Sequence, residues 1–434
     1  MFVDNALSIH NPRPHPKDET PVLPQAELLA FVQHYLDQRD KYLKVVGLHP
    51  PPLYLIETSV LKERADQFRS AFQAVLPKAS FYYAVKSNNH PDVAEVLVQS
   101  GFGLDVSSGL ELKMALELSA KDIVFSGSGK TDAELRLAVL HSEHVVILAD
   151  SFGELQRLKR IAGSQKHLVR VGVRLTTDPN GIWRKFGIPP RALKDFWKDV
   201  HQCDRLKFQG LQFHLSWNHS PRLQIEFIQR LGTVLDKLPP GCREEIEFID
   251  IGGGYWPSLG EWLQASGTPE GLLQKALGQE NNSAQAHYKL PATSIESFAD
   301  QLGATIRHHL FKNSPCRICF EPGRWICNDA MHLLISVVDK KESNLVITDA
   351  GTNAVGWERF ETDYFPVISL TRPALKERPC DIMGSLCTPH DIWGYSYWGN
   401  DIQVGDILLI PTQGAYTYSL RQHFIKPLPR VIVI

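Results

Sequence analysis

Lys86 closes the apolar run Phe81-Tyr82-Tyr83-Ala84-Val85 in "FYYAVKSNNHPDV" (81–93). An amine there is either a snorkelling surface group or a nucleophile held in a site, and the residue alone decides neither. Other positions have chemistry to offer it. Asp105, Arg174, His214 and Glu321 each stand at or just past the end of a β-rich run. Gly252-Gly253-Gly254 follows "FIDI", and Gly323-Arg324 follows Glu321 by one residue. Each has an ordinary reading: an Asp105–Arg174 ion pair, a core histidine, a turn, a helix start. Together they offer an amine, an imidazole, carboxylates and backbone N–H groups that no Cβ shields from an anion.

Elements must bring these groups to one place. Short β-rich runs occur at 80–86, 101–107, 123–127, 144–149, 168–175, 207–215, 246–251 and 317–321, with helical patterns between them. In 60–76, Leu61, Ala65, Phe68, Phe72 and Val75 recur at helical spacing. In 91–100, Pro91 suits a first turn and Gly101 a stop. Eight alternating units fit a closed (β/α)8 barrel better than a doubly wound open sheet, and a barrel gathers functional side chains where its strands end.

Other segments flank this pattern. Residues 9–23 read as a Pro-rich extended arm, 24–43 as one amphipathic helix, and 48–59 as a turn entering a strand. Beyond residue 330, runs such as "LLISVVDKK", "NLVITDAG" and "DILLIPTQGAY" follow one another with little helix between, as in a separate β domain. The expected division is an arm, helix and strand (1–57) packing with the β domain, a barrel (58–328), and a β domain (329–434). The stretch 255–297 is too long for a simple barrel loop and is expected to lie over the carboxyl face.

Composition narrows the class. A chain of 434 residues with net charge −2 can bury a large core and presents no electrostatic case for nucleic acid or a membrane surface. No apolar run reaches the length of a membrane span and the first residues lack a signal core, so a cytoplasmic location is expected. The seven cysteines are odd in number and scattered, which argues against a disulfide scaffold. Cys316 and Cys319 stand three apart on a predicted strand and face opposite ways, so they read as buried thiols, and no metal site is expected.

Pyridoxal phosphate needs such a set: an amine for its aldehyde, a carboxylate opposite its pyridine nitrogen, and a glycine-lined phosphate site. The motifs "YYAVKSN", "GFGLDVSSGLEL", "FHLSWN", "FIDIGGGY", "FEPGR", "GSLCTPHD" and "QGAY" stand in the order found in the fold-type III pyridoxal-phosphate decarboxylases. The chain resembles that family, which includes ornithine, arginine, diaminopimelate and carboxynorspermidine decarboxylases, over roughly residues 50–425. The resemblance implies an alanine racemase-like TIM barrel plus a C-terminal β-barrel or β-sandwich. It makes Lys86 the Schiff-base lysine, stacks His214 on the cofactor ring, and pairs Glu321 with the ring nitrogen. Gly252, Gly253, Gly254, Gly323, Arg324 and Tyr416 then hold the phosphate, while Asp105 and Arg174 brace the lysine. It further implies a homodimer in which Cys387, with Asp391 in the same loop, reaches the partner's site and protonates the carbon that loses carbon dioxide.

Departures from the family pattern bear on substrate. The acidic residue that follows the loop cysteine in the ornithine and diaminopimelate branches is here Thr388, and Trp357 stands where a substrate-contacting arginine would be. The family's His-x-Gly-Ser is His214-Leu215-Ser216-Trp217, leaving Ser216 or the Trp217 indole to replace a phosphate-binding serine. An ammonium buried without a carboxylate is costly. The "CTPHD" loop resembles that of decarboxylases acting on acylated amino acids in siderophore assembly, such as citryl-ornithine or citryl-diaminopropionate. A free diamino acid is the alternative, with Glu361 and Asp363 replacing the lost acid. A racemase, which has no use for Cys387, and a non-catalytic antizyme-inhibitor-like protein, which has no need of Lys86, are the rivals from other classes.

Overall fold

The computed structural model describes residues 20–163, 167–278, 286–311, 315–356 and 359–434. Among the described residues the chain forms two compact units: one holds residues 62–258 and 293–326, the other residues 20–61, 259–292 and 327–434.

In the first unit eight parallel strands close a barrel: Ser80–Ala84, Gly103–Val106, Ile123–Phe125, Val145–Ala149, Val169–Leu175, Leu206–Phe213, Phe248–Asp250 and Arg317–Phe320, the last pairing with the first. Each falls on one of the β-rich runs read from sequence. The helix Thr58–Val75 buries Leu61, Ala65, Phe68 and Phe72. Pro91–Gln99 starts on proline and stops before Gly101, whose φ is +84°.

Strand parity places the chemistry. Tyr82, Val124, Val146, Leu148, Phe248 and Cys319 form one inner apolar layer. Two residues further along their strands, on the same face, come Ala84, Ser126, Asp250 and, just past its strand, Glu321. Asp105 lies in register with Ala84 and Val124, and Gly210 with Phe248, so Asp105, Gln212 and His214 also face inward. The barrel is therefore apolar below and polar at the carboxyl ends of its strands.

The second unit is a sheet of eight strands in which Leu345–Thr348 pairs with both Glu377–Met383 and Met331–Glu342, closing six of them into a ring. Leu53–Ile56 extends it, antiparallel to Met331–Leu334 and parallel to Arg430–Val433. Two helices, Gln25–Asp37 and Arg39–Leu48, pack Leu28, Val32, Tyr35, Tyr42 and Val45 onto Leu334, Trp398 and Leu409. The single helix expected over 24–43 is thus broken at Gln38. Arg39 occupies the next place in the apolar stripe and donates instead to the Leu370 carbonyl.

The stretch 255–297 is divided between the two units. Its part 259–292 belongs to the second unit, where Glu261–Leu263 pairs with Tyr288–Leu290 and Trp262 enters the core. Residues 279–285 of that stretch, 9–19 of the expected arm, and Trp357 lie outside the described residues.

Candidate active site

Lys86 sits in a single 3₁₀ turn, Val85–Ser87, that ends the first barrel strand. The turn is pinned by Ser87 Oγ donating to Ala84 O (2.7 Å) and Tyr83 O–H donating to Asn88 O (3.0 Å). Lys86 Nζ donates to Asp105 Oδ2 at 2.7 Å, and Ser126 Oγ donates to the other oxygen of that carboxylate. Asp105 is fully buried; burial and the charge of Glu321 raise its affinity for a proton, against the pull of Lys86. The partner of Asp105 is therefore Lys86, not the Arg174 of the simple ion-pair reading. Arg174 is buried with its guanidinium carbon 4.3 Å from the centre of the Phe186 ring.

His214 and Glu321 face each other across the barrel mouth, Nδ1 to Oε2 at 3.5 Å. The Gly253 N–H donates to the same Nδ1 at 3.2 Å. An amide can only donate, so Nδ1 accepts, Nε2 carries the proton toward Ser216 Oγ (3.3 Å), and the ring is neutral. Burial, which lowers His214's affinity for a proton, acts the same way. Burial works to raise Glu321, while the charges of Lys86 and Arg174 act to lower it. Gln212 Nε2 donates to both Glu321 oxygens, at 3.2 and 3.3 Å.

The glycine turn meets these residues directly. A Cβ on Gly253 would lie 2.1 Å from Glu321 O, and one on Gly254 2.2 Å from Leu215 O. Gly252 and Gly254 take φ of +71° and +83°, which glycine adopts freely. Asn218 Nδ2 ties the turn down by donating to Leu215 O (3.0 Å) and Gly253 O (2.9 Å). A Cβ on Gly323 would press on Ser87, 2.8 Å from its Oγ. Arg324 lies with its guanidinium carbon 4.2 Å from the centre of the Trp256 ring, whose other neighbour is the stacked ring of His219. Ser216 uses its hydroxyl on His214, and Trp217 is 42% exposed with φ of +53°.

The remaining candidates lie in the second unit. Cys387 is exposed, at the tip of a loop that Asp391 clamps. Asp391 accepts from Thr352 N (2.6 Å) and Thr352 Oγ1 (3.0 Å) on one oxygen and from Leu386 N (2.6 Å) on the other. Its buried carboxylate holds the loop. Thr388 is half-buried beside Cys387. Glu361 takes the His390 Nδ1 of that loop at 2.7 Å and lies 3.8 Å from Lys275 Nζ; Asp363 accepts from its neighbour Thr362 at 3.3 Å. Tyr416 has φ of +57°, a backbone region that an aromatic residue occupies only where its surroundings over-determine it.

Pyridoxal phosphate fits the barrel's donor set. An amine is held by a buried carboxylate, a second carboxylate stands by a neutral ring, and bare backbone lines a turn that side chains would fill. Ser126, Gln212 and Asn218 were not singled out from sequence. Inward parity marks the first two, which stand two residues beyond Val124 and two before His214. Among the described residues no helix is long and apolar enough to cross a membrane.

The profile of the pyridoxal-binding domain of pyridoxal-dependent decarboxylases matches residues 59–268, and that of their C-terminal sheet domain matches 324–414. Diaminopimelate decarboxylase of Aquifex aeolicus is 28% identical over 425 residues, covering 92% of this chain and 91% of that protein. The diaminopimelate decarboxylase of Helicobacter pylori, solved with L-lysine, superposes with a TM-score of 0.73 at 22% identity, over 91% of this chain and 94% of that one. Lysine/ornithine decarboxylase of Vibrio vulnificus, solved with putrescine, gives 0.70 at 21% identity, over 92% and 98%. At such identities the two structures speak for the fold.

Proposed function

This chain belongs to the pyridoxal-dependent decarboxylases of the ornithine, diaminopimelate and arginine family, and we propose that the amino acid it decarboxylates is a free diamino acid. It is a pyridoxal-phosphate enzyme that removes an amino acid's carboxylate as carbon dioxide. When bound, the cofactor supplies an aldehyde for the amino group and a protonated ring that accepts the electron pair left on the α-carbon. The residues then divide the work. Asp105 and Ser126 aim the Lys86 amine, and Glu321 keeps a proton on the ring nitrogen. His214, neutral and fixed by Gly253 and Ser216, offers a flat face. Gly252–Gly254, Gly323 and Arg324 receive the phosphate, and Cys387 returns a proton to the α-carbon.

The observation that carries the reading is the inward convergence of the Lys86–Asp105 pair and the His214–Glu321 pair on one barrel mouth. For the substrate, support comes from relatives named for free diamino acids and from the Glu361 carboxylate beside the Cys387 loop. The neutral Thr388 favours a second reading, a diamino acid whose distal nitrogen is tied up as an amide such as a citryl amide. Carbon dioxide release from the holoenzyme, given diaminopimelate, lysine, ornithine and their citryl amides, separates the two. Turnover of the free amino acids is expected; turnover of the amides alone overturns the proposal. Cys387→Ala is expected to keep the cofactor and turn over poorly, and unchanged clean turnover removes the role given to the thiol.

A further inference from the structure

Trp256 stands two residues past the glycine turn and is 8% exposed. Its ring takes two neighbours from other parts of the barrel. The guanidinium carbon of Arg324 lies 4.2 Å from its centre, and the His219 imidazole is stacked on it at 4.7 Å, with 27° between the planes. A guanidinium is planar and carries its N–H groups on its edge, so an aromatic ring against its face leaves that edge free to donate. Arg324 is half-buried and opens a helix of four residues, Arg324–Cys327. Its long stem allows many orientations, and the ring narrows them.

The backbone fixes Trp256 to the turn it follows. Asn218 N–H donates to Gly254 O at 2.9 Å, and the Asn218 side chain donates to Leu215 O and Gly253 O. Trp256 N–H donates back to Asn218 O at 3.4 Å, and Asn218 forms an isolated parallel bridge with Tyr255. His219, the next residue, is held in turn by Thr293, whose N–H donates to its carbonyl at 2.7 Å. Residues 218 and 219 therefore brace two things at once: the bare backbone of Gly252–Gly254 and the ring against which Arg324 rests.

We propose that Trp256 is a positioning residue for the phosphate site, holding the face of Arg324 so that its N–H edge stays free for the cofactor's phosphate, with His219 keeping the indole in place. The inference rests on the phosphate role given above to Arg324 and Gly252–Gly254. It suits a site that lacks the family's serine, because Ser216 has its hydroxyl engaged by His214. An arginine already held in one orientation loses less freedom when an anion arrives, and so binds it more tightly.

Binding of pyridoxal phosphate and of pyridoxal, which lacks the phosphate, to the full chain freed of cofactor tests this, with visible absorbance as the readout. Trp256→Leu should weaken pyridoxal phosphate on the order of 5–30-fold and pyridoxal by less than about twofold. Equal weakening of both, as for a ring that only fills space, overturns the proposal. In an Arg324→Met chain the same substitution should add little, because its effect runs through the guanidinium; a full further loss overturns the link. Arg324→Met with unchanged affinity for pyridoxal phosphate removes the phosphate role of Arg324 itself, and the proposal with it, whatever Trp256→Leu does. Should Trp256→Leu not fold, His219→Ala keeps the indole and removes its brace. A smaller loss, again confined to pyridoxal phosphate, is then expected, and a loss shared by pyridoxal overturns the proposal.

Discussion

Lys86 and Glu321 both stand at the mouth of the barrel yet meet different surroundings. Lys86 keeps its side chain 32% exposed, so the amine is reachable, while Asp105 and Ser126 behind it are buried and fix its direction. Glu321 is sealed, and Gln212 donates to both of its oxygens. A carboxylate so placed does not recruit its proton from solvent; it holds one that belongs to whatever lies over it. Glu321→Gln keeps the volume and the Gln212 contact but loses the charge. Its kcat for carbon dioxide release should fall on the order of 10²–10³-fold with the cofactor retained, as monitored by its visible absorbance. A variant with wild-type kcat would remove Glu321 from the reaction.

At the scale of elements, the strand Leu53–Ile56 ends on a buried charge that ties three segments together. Glu57 accepts from Tyr42 O–H (2.9 Å), lies 3.2 Å from His332 Nε2, and pairs with Lys41. Burial would raise its carboxyl, yet His332, Lys41 and Tyr42 together depress it to about 2. A depressed carboxyl stabilises the fold above its unfolded value and loses that contribution as pH falls toward its folded one. The acid-unfolding profile of the wild type, followed by tryptophan fluorescence, should therefore steepen from the ordinary glutamate range down to about 2. Glu57→Gln should be less stable at neutral pH and lack that slope; parallel profiles would assign the stability elsewhere. The same scale shows what could be read in advance. The barrel strands are short β-branched and aromatic runs, buried on both faces and bounded by helical periodicity, so their identity is local. The helix break at Arg39 and the enrolment of 259–292 in the sheet unit depend on partners far away in sequence, the Leu370 carbonyl and the Tyr364–Glu377 region, which no local pattern encodes. Lys86, His214 and Glu321 could be found because they end strands. Asp250 could not, because a polar residue inside a strand looks outward until the register of its neighbours is known.

For the whole molecule, the resemblance suggests a shared site, in which the barrel of one copy works with the Cys387 loop of another. Mixing inactive Lys86→Ala with inactive Cys387→Ala should then restore part of the activity through heterodimers that hold one intact site. No recovery under conditions where subunits exchange would confine the reaction to a single chain. The sheet unit adds a constraint of another kind. Its strand Leu53–Ile56 lies between Met331–Leu334 and Arg430–Val433, so both of its neighbours come from the far end of the chain. During synthesis this early strand leaves the ribosome hundreds of residues before either neighbour exists. The barrel, whose successive strands pair as they appear, can assemble meanwhile. The N-terminal strand must wait, an apolar ribbon with both edges unpaired, and that interval is when the nascent chain most needs a chaperone.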